Sequence, residues 1–309
     1  MAQNSSIEWT DTTWNPVTGC TRASEGCDNC YAVTMTNRLE AMGQEKYSGL
    51  TVLNPRGDRH FNGQVREHGD VLKLPFAWRK PRRVFVNSMS DLFHRGVDFR
   101  FIAAVFGVAA ALPKHTFQIL TKRPEVAVEF MEFVKDKRGR HAFGLDSPAA
   151  ACCDALHHYA GSLYNTDYFP ASGVWPLPNV LIGASIENQD AMFRRMHSLR
   201  RIAEKGWTTF ISAEPLLGPI RFPEFMYWDD ESPKSCWLDW CIVGCESGPR
   251  RRPMETAWAR SIRDQCKAAG VAFFMKQLEV GLPGKVTGGM DEFPEDLRIR
   301  ESPSPGAIA

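Results

Sequence analysis

Short runs of apolar residues recur along the chain, and each run ends in a small or polar cluster. The runs are continuous rather than alternating, which is typical of strands that are covered on both faces. The predicted strands cover residues 83–87, 116–121, 180–184, 208–212, 240–244 and 271–275, with a weaker one near 7–9.

Helical periodicity follows most of these runs. The predicted helices cover residues 29–42, 99–112, 124–137, 189–203 and 256–269. In the first helix the spacing predicts inward positions for Tyr31, Met35, Leu39 and Met42. Repeated alternation of strand and helix is the pattern of a parallel α/β fold. Because no glycine-rich dinucleotide fingerprint follows a strand, we predict a full or partial (β/α)8 TIM-like barrel with inserted loops, not a doubly wound sheet.

Two long segments break this rhythm. We predict that residues 140–178 and 221–239 are inserted loops or lids, since loops of this length in a compact barrel tend to be functional. The expected organisation is therefore one barrel domain over residues 1–280, followed by an extended tail over 281–309 that is rich in Gly, Pro and charge.

Composition narrows the functional classes. With 43% hydrophobic and 24% charged residues, the chain has the balance of a globular protein, so a packed core is expected. The net charge of +1 argues against a globally basic nucleic-acid binder, although local basic patches stay open. No run approaches the roughly 18 apolar residues of a membrane helix, and the first residues are polar. We expect a cytoplasmic protein with no membrane partner.

Polar clusters stand where the predicted strands stop. In a parallel barrel the carboxyl ends of the strands share one face, so these clusters predict one polar site. Its acidic members are Asp91, Glu187, Glu214 and Glu246, and its basic members are Lys122, Arg123 and Lys276. For Ser88, Asn188 and Ser247 the alternative is a plain helix cap.

Three of the nine cysteines lie close together before the first helix, as Cys20-x6-Cys27-x2-Cys30. In a reducing compartment, clustered cysteines more often bind metal or act in catalysis. A structural zinc site needs four protein ligands, and no fourth ligand has a suitable spacing. Three thiolates favour a 4Fe–4S cluster with one open iron, but thiolates suit both metals. The other cysteines are predicted to be small buried hydrophobes: Cys152, Cys153, Cys236, Cys241, Cys245 and Cys266.

These cysteines, with an aromatic residue after the third, resemble the radical S-adenosylmethionine superfamily, whose usual first gap is shorter (C-x3-C-x2-C). More closely, the chain resembles a family of phage and bacterial three-cysteine-motif proteins. The resemblance covers about residues 7–280, and its motifs are WNPVTGC (14–20), GCDNCYA (26–32), SMSDLF (88–93), LTKRP (120–124), SAEPLLGP (212–219) and GCESG (244–248).

The resemblance implies an enzyme in which Cys20, Cys27 and Cys30 hold a 4Fe–4S cluster. With S-adenosyl-L-methionine and an electron donor, it would generate a 5′-deoxyadenosyl radical. By strand order, the implied cofactor-binding residues are Ser88, Ser90, Asp91, Lys122, Arg123, Ser185 and Glu187. The residues left for substrate and catalysis are Glu214, Glu246, Lys276 and Gln277.

Two questions stay open. The alternative function is a zinc-binding barrel protein, a hydrolase or a binding module of a phage or defence system. For the substrate, nucleic acid or a nucleotide is a modest preference, because basic runs at 79–83, 194–195, 200–201 and 250–252 could contact phosphates. Trp175, Trp228 and Trp237 could stack on bases, although core packing is the commoner fate of Trp.

Overall fold

The computed structural model describes residues 5–135, 147–161, 174–223, 226, 236–280 and 285–303. In chain order the strands are β1 (Thr12–Trp14), β2 (Val17–Thr18), β3 (Thr51–Leu53), β4 (Arg59–Phe61), β5 (Arg66–Glu67), β6 (Arg83–Val86), β7 (Thr116–Thr121), β8 (Val180–Ser185), β9 (Thr208–Ala213), β10 (Trp240–Gly244), β11 (Ala272–Val280) and β12 (Lys285–Thr287). The α-helices are α1 (Tyr31–Ala41), α2 (Phe99–Ala111), α3 (Pro124–Lys135), α4 (Pro148–Ala160), α5 (Gln189–Ala203) and α6 (Thr256–Ala269).

Eight of the described strands form one mixed sheet with the order β1-β6-β7-β8-β9-β10-β11-β12. The β1–β6, β6–β7, β9–β10 and β10–β11 pairs are parallel, whereas β12 is antiparallel to β11. Strands that follow one another in chain order, with helices between them, have the topology of a barrel, because a doubly wound sheet would reverse its order. The predicted α/β class and partial TIM-like barrel are confirmed.

The chain divides into two compact units. The first unit contains Met1–Arg22 and Ala32–Leu181, and the second contains Ala23–Tyr31 and Ile182–Ala309. Cys20 therefore belongs to the first unit, while Cys27 and Cys30 belong to the second. The prediction of a single barrel domain stays a prediction, and much of its two insertions lies outside the described residues. Of the predicted tail, residues 285–303 are described, and they include β12.

The core of the first unit forms around α2, which is buried on nearly all sides. It packs against α4, and Gly107 permits a close approach, since a Cβ there would lie 2.3 Å from the carbonyl oxygen of Cys152. Ser147 caps α4 by accepting a hydrogen bond from the Ala150 amide at 3.2 Å. This helix corrects the sequence prediction, which had placed residues 148–160 in an inserted loop.

The core of the second unit is built on β8, β9 and β10, whose residues are almost all buried. Gly183 makes room for the ring of Phe210, which a Cβ would approach to 2.5 Å. Trp240 lies between Phe210 and Phe274, with ring centroids 5.7 and 5.9 Å away. Within the described ranges, no helix has both the length and the apolar character that crossing a bilayer requires.

Two further expectations are wrong. A turn, not a strand, occupies residues 8–9, and the first strand is β1. On α1, the side chains of Tyr31, Met35 and Met42 are exposed rather than inward. The smaller residues Ala32, Val33 and Thr36 face inward instead, so the large apolar residues of this helix did not mark its buried face.

Candidate metal-binding loop and strand-end carboxylates

The cysteine loop begins at a position that requires glycine. Gly19 has φ +85°, and a Cβ there would lie 2.0 Å from the carbonyl oxygen of Gln64. After Cys20 the chain forms a single 3-10 turn, Glu25–Cys27, in which Ser24 provides no side-chain cap. The amide of Cys30 then donates to the carbonyl oxygen of Cys27 at 3.3 Å, just before α1 begins.

The three motif cysteines differ from most of the others. Cys20, Cys27 and Cys30 form no disulfide and are half-buried, as is Cys236. The buried cysteines are Cys152, Cys153, Cys241, Cys245 and Cys266, as predicted. Burial raises the pKa of Cys153 and of Cys245 to about 12 and that of Cys236 to about 11, which suits packing rather than thiolate chemistry.

The donors around the motif suit a soft metal. The Ala23 amide lies 3.5 Å from Cys27 Sγ, and Arg123 Nη1 lies 3.9 Å from Cys20 Sγ; both can donate to a thiolate. The buried hydroxyl of Ser24, in the same loop, has no hydrogen-bond partner among the described residues. Thiolate sulfurs near N–H donors are suitable ligands for an iron–sulfur cluster or for zinc. No three His, Cys, Asp or Glu side chains of the described part are arranged to hold a metal ion.

In the first unit, Asp91 organises the end of β6. Its carboxylate accepts hydrogen bonds from the Thr121 hydroxyl at 2.7 Å and from the amides of Phe93 and Lys122 at 3.1 Å. It also pairs with Arg123 Nη1 at 2.8 Å, with side-chain exposures of 7% and 11%. Since these partners lie at the ends of β6 and β7, the parallel pairing of these strands creates the pair.

Arg123 extends this network to the cysteine loop. Its Nη2 donates to the carbonyl oxygen of Thr21 at 3.0 Å and to the Thr21 hydroxyl at 2.7 Å. Burial alone would lower the pKa of Arg123, but the facing charges of Asp91 and Cys20 raise it overall. The guanidinium is thus a fixed cation beside Cys20, and Asp91 holds it there.

The other predicted residues of this unit have different partners. Ser90 Oγ donates to the carbonyl oxygen of Val17 at 2.8 Å, and Ser88 Oγ donates to Asn15 Oδ1 at 3.2 Å. These bonds tie the end of β6 to the segment that leads to Cys20. The Lys122 side chain is half-buried. The cofactor contacts predicted for these residues stay predictions.

In the second unit, Glu187 is almost fully buried and pairs with Arg195 at 2.6 Å. The same Arg195 Nη1 donates to the carbonyl oxygen of Ser185 at 2.6 Å. Glu187 lies under the cysteine loop, because a Cβ on Gly26 would approach its Cδ to 3.1 Å. Arg195 was not predicted as a partner, although an arginine beside Met192 and Met196 on the apolar face of α5 was a usable signal.

Glu246 follows β10 and is held by Arg252. The Arg252 backbone amide and Nε donate to Glu246 Oε2 at 2.7 and 3.0 Å, and Nη2 donates to Oε1 at 2.6 Å. Asn29 Nδ2, from the cysteine loop, also donates to Oε2 at 2.9 Å. Burial alone would raise the pKa of Glu246, but the bonds from Arg252 and Asn29 lower it overall.

Glu214 and Lys276, predicted as catalytic, are brought together. Lys276 Nζ donates to Glu214 Oε1 in a partly buried ion pair between the residue that follows β9 and the middle of β11. The neighbouring Gln277 Nε2 donates to the carbonyl oxygen of Cys245 at 2.6 Å. Within the described residues Glu214 pairs with a lysine, whereas Asp91, Glu187 and Glu246 pair with arginines.

The basic runs form less positive surface than the sequence suggests, because many of their arginines pair with acids. The pairs are Arg83–Asp11, Arg194–Asp190, Arg200–Glu204 and Arg251–Glu279, at 2.6–3.3 Å. Trp237 is buried, which corrects the expectation of exposure. Trp175 is half-buried, and Trp228 lies outside the described residues.

A family model described as "Protein of unknown function (DUF5131)" matches residues 4–285. The chain belongs to this family. A search of curated proteins finds no match.

Among solved structures, mutants of spore photoproduct lyase are similar to this DUF5131 chain. One, with bound AdoMet and dinucleoside spore photoproduct, is 11% identical over 86% of this chain, with a TM-score of 0.41. Another, with dinucleoside spore photoproduct, is 10% identical over 87% of this chain, with a TM-score of 0.42. The chain spans 63% of the length of each. At these values the likeness carries nothing about ligands or chemistry.

Proposed function

We propose that this DUF5131 chain is a radical S-adenosylmethionine enzyme whose 4Fe–4S cluster is held by Cys20, Cys27 and Cys30. The observation that carries the proposal is the contrast between these three half-buried thiols and the five buried ones. Soft thiolates near N–H donors are suitable ligands for such a cluster.

When bound, the cluster would supply the electron that cleaves the carbon–sulfur bond of S-adenosylmethionine. The chain itself would orient the bound molecules and shield them from solvent. Arg123 places a positive charge beside Cys20. The Ser24 hydroxyl has no hydrogen-bond partner among the described residues, so it could bind a ligand atom. The pair Glu214–Lys276 is the strongest candidate to hold or move a proton on a substrate, because it is partly accessible.

A zinc centre is the alternative, and it would need a fourth ligand. His94 is near Cys20 in the first unit, since its Nε2 lies 3.0 Å from the Thr21 hydroxyl. Its Nδ1 accepts a hydrogen bond from the Gly96 amide at 3.0 Å. Both ring nitrogens are therefore in use, which favours iron–sulfur over zinc. The substrate stays open, and a nucleic-acid or nucleotide substrate stays a prediction.

The test is anaerobic purification followed by iron, sulfide and zinc analysis and a visible spectrum. The proposal expects a brown protein with about four irons, and formation of 5′-deoxyadenosine when S-adenosylmethionine and a reductant are added. The Cys27→Ser variant should lose both the colour and the product, while Cys266→Ser, at a buried position, should keep both. A colourless protein with one zinc would replace the proposal with the alternative.

A further inference from the structure

We propose that Glu246 and Arg252 form a clamp that positions Cys27 and Cys30, so that Glu246 is a positioning residue and not a substrate ligand. The inference deepens the proposed function and rests on a metal centre at the cysteine motif. Every residue of the clamp belongs to the second unit, and its contacts are described within that unit.

The clamp contacts the loop on both sides of Cys27. Arg252 Nη2 donates to the carbonyl oxygen of Glu25 at 3.0 Å, two residues before Cys27. Arg252 Nη1 lies 3.8 Å from the Asp28 carboxylate, one residue after it. A single guanidinium thus spans the residues that flank this thiol, which the fork of an arginine can do and a lysine ammonium cannot.

Asn29 completes the clamp next to Cys30. Its Nδ2 donates to Glu246 Oε2 at 2.9 Å and to the carbonyl oxygen of Arg250 at 2.8 Å. Glu246 therefore fixes Arg252 and Asn29 together, and through them the backbone that carries both thiols.

The hydrogen bonds leave Glu246 little capacity for a substrate. An ionised carboxylate has about four lone-pair sites, and Glu246 accepts from Asn29 Nδ2 and from the amide, Nε and Nη2 of Arg252. Its side chain is only 5% exposed. A group this saturated and buried is suited to holding structure.

The loop needs such support, because it has little of its own. Its only regular element is the 3-10 turn at Glu25–Cys27, whose N-cap side chain makes no capping bond. Beneath it, a Cβ on Gly26 would lie 3.1 Å from Glu187 Cδ, so a side chain at position 26 would crowd this carboxyl group. With Glu187 below and Arg252 alongside, the loop is held from two directions.

The experiment measures the thiols directly, in the full metal-free chain. Iodoacetamide is added at neutral pH, and mass spectrometry follows the alkylation of Cys20, Cys27 and Cys30 separately. In Arg252→Met we expect the relative rates at Cys27 and Cys30 to change at least about fivefold from wild type, with Cys20 unchanged. The matched control is Arg251→Met, since Arg251 pairs with Glu279. Equal rates in the two variants and in wild type would overturn the clamp.

A second variant and a second readout keep the outcome clear. Glu246→Gln retains the shape of the side chain but loses its charge. It should give the same selective change, which decides the matter if Arg252→Met folds poorly by circular dichroism. After anaerobic reconstitution with iron and sulfide, both clamp variants should lose iron to a chelator at least about fivefold faster than wild type. A wild-type chain that binds no metal would refute the proposed function, whereas the alkylation rates would still decide the clamp.

Discussion

Two arginine–carboxylate pairs, one in each unit, reach the cysteine loop by different routes. In the first unit Arg123, held by Asp91, donates to the carbonyl oxygen of Thr21, next to Cys20. In the second, Arg252, held by Glu246, donates to the carbonyl oxygen of Glu25. Each pair begins with an acid at a strand end and places a guanidinium on the backbone beside a motif cysteine.

The routes differ in how far apart the partners are in the chain. Asp91 and Arg123 are 32 residues apart and meet only because β6 and β7 pair in register. Glu246 and Arg252 are 6 residues apart within one loop. The first pair is also drier, since Arg123 is 11% exposed and Arg252 is 31% exposed. We infer that the first pair serves both fold and site, whereas the second serves mainly the loop.

The largest effect is expected from breaking the drier pair. Arg123→Met leaves the buried Asp91 carboxylate without its counter-charge, which costs about 3–5 kcal/mol in such cases. Urea unfolding followed by circular dichroism measures this loss. The double variant Asp91→Asn, Arg123→Met should recover part of it, because no unpaired charge then remains. A loss below about 1 kcal/mol would contradict this prediction, because solvent-exposed ion pairs contribute no more than that.

A smaller effect on stability is expected from Arg252→Met. Water reaches part of this guanidinium and screens the pair, so the loss should be about 1–2 kcal/mol. The same urea titration measures it. If Arg252→Met proved as costly as Arg123→Met, the distinction between a pair that supports the fold and one that supports the loop would be lost.

The same distinction explains what the sequence could reveal. Continuous apolar runs predicted β6 to β10 and the first part of β11, because buried parallel strands need such runs on both faces. The acids Asp91 and Glu246 were found because they directly follow these runs. The partner Arg123 also follows a strand, but only the register of β6 and β7 brings it to Asp91, and no local pattern encodes that register.

Other features were missed, although the sequence carried a signal for some of them. α4 lay in a segment predicted as loop, although Pro148 after Ser147 marks a helix start. The face of α1 was wrong, because its small residues pack inward while Met42 is exposed. Arg195 was read as part of a basic run, whereas its position on the apolar face of α5 makes it the buried partner of Glu187.

Lowering the pH should reduce the stability that the Glu246–Arg252 pair contributes. The pKa of Glu246 in the folded chain lies below its ordinary value of 4.5, so its ionised form contributes stability that is present above about pH 4.5. This contribution is lost as the pH falls through the lowered pKa. The difference in Tm between wild type and Glu246→Gln should therefore shrink below pH 4.5. With Arg252→Met as background, the Glu246→Gln substitution should show less of this pH dependence; an unchanged dependence would contradict the pairing.

The smallest effect on stability is expected from the Arg83–Asp11 pair, which contacts none of the three motif cysteines in the described structure. Arg83 and Asp11 lie 3.0 Å apart, but their side chains are 44% and 45% exposed, so solvent screens the charges. Replacing Arg83 with Met should cost less than about 1 kcal/mol in urea unfolding. The alkylation rates of Cys20, Cys27 and Cys30 should equal those of wild type, because no contact of this pair touches the loop. A change in those rates would mean that any lost arginine disturbs the thiols, and the selective roles of Arg123 and Arg252 would no longer be needed to explain them.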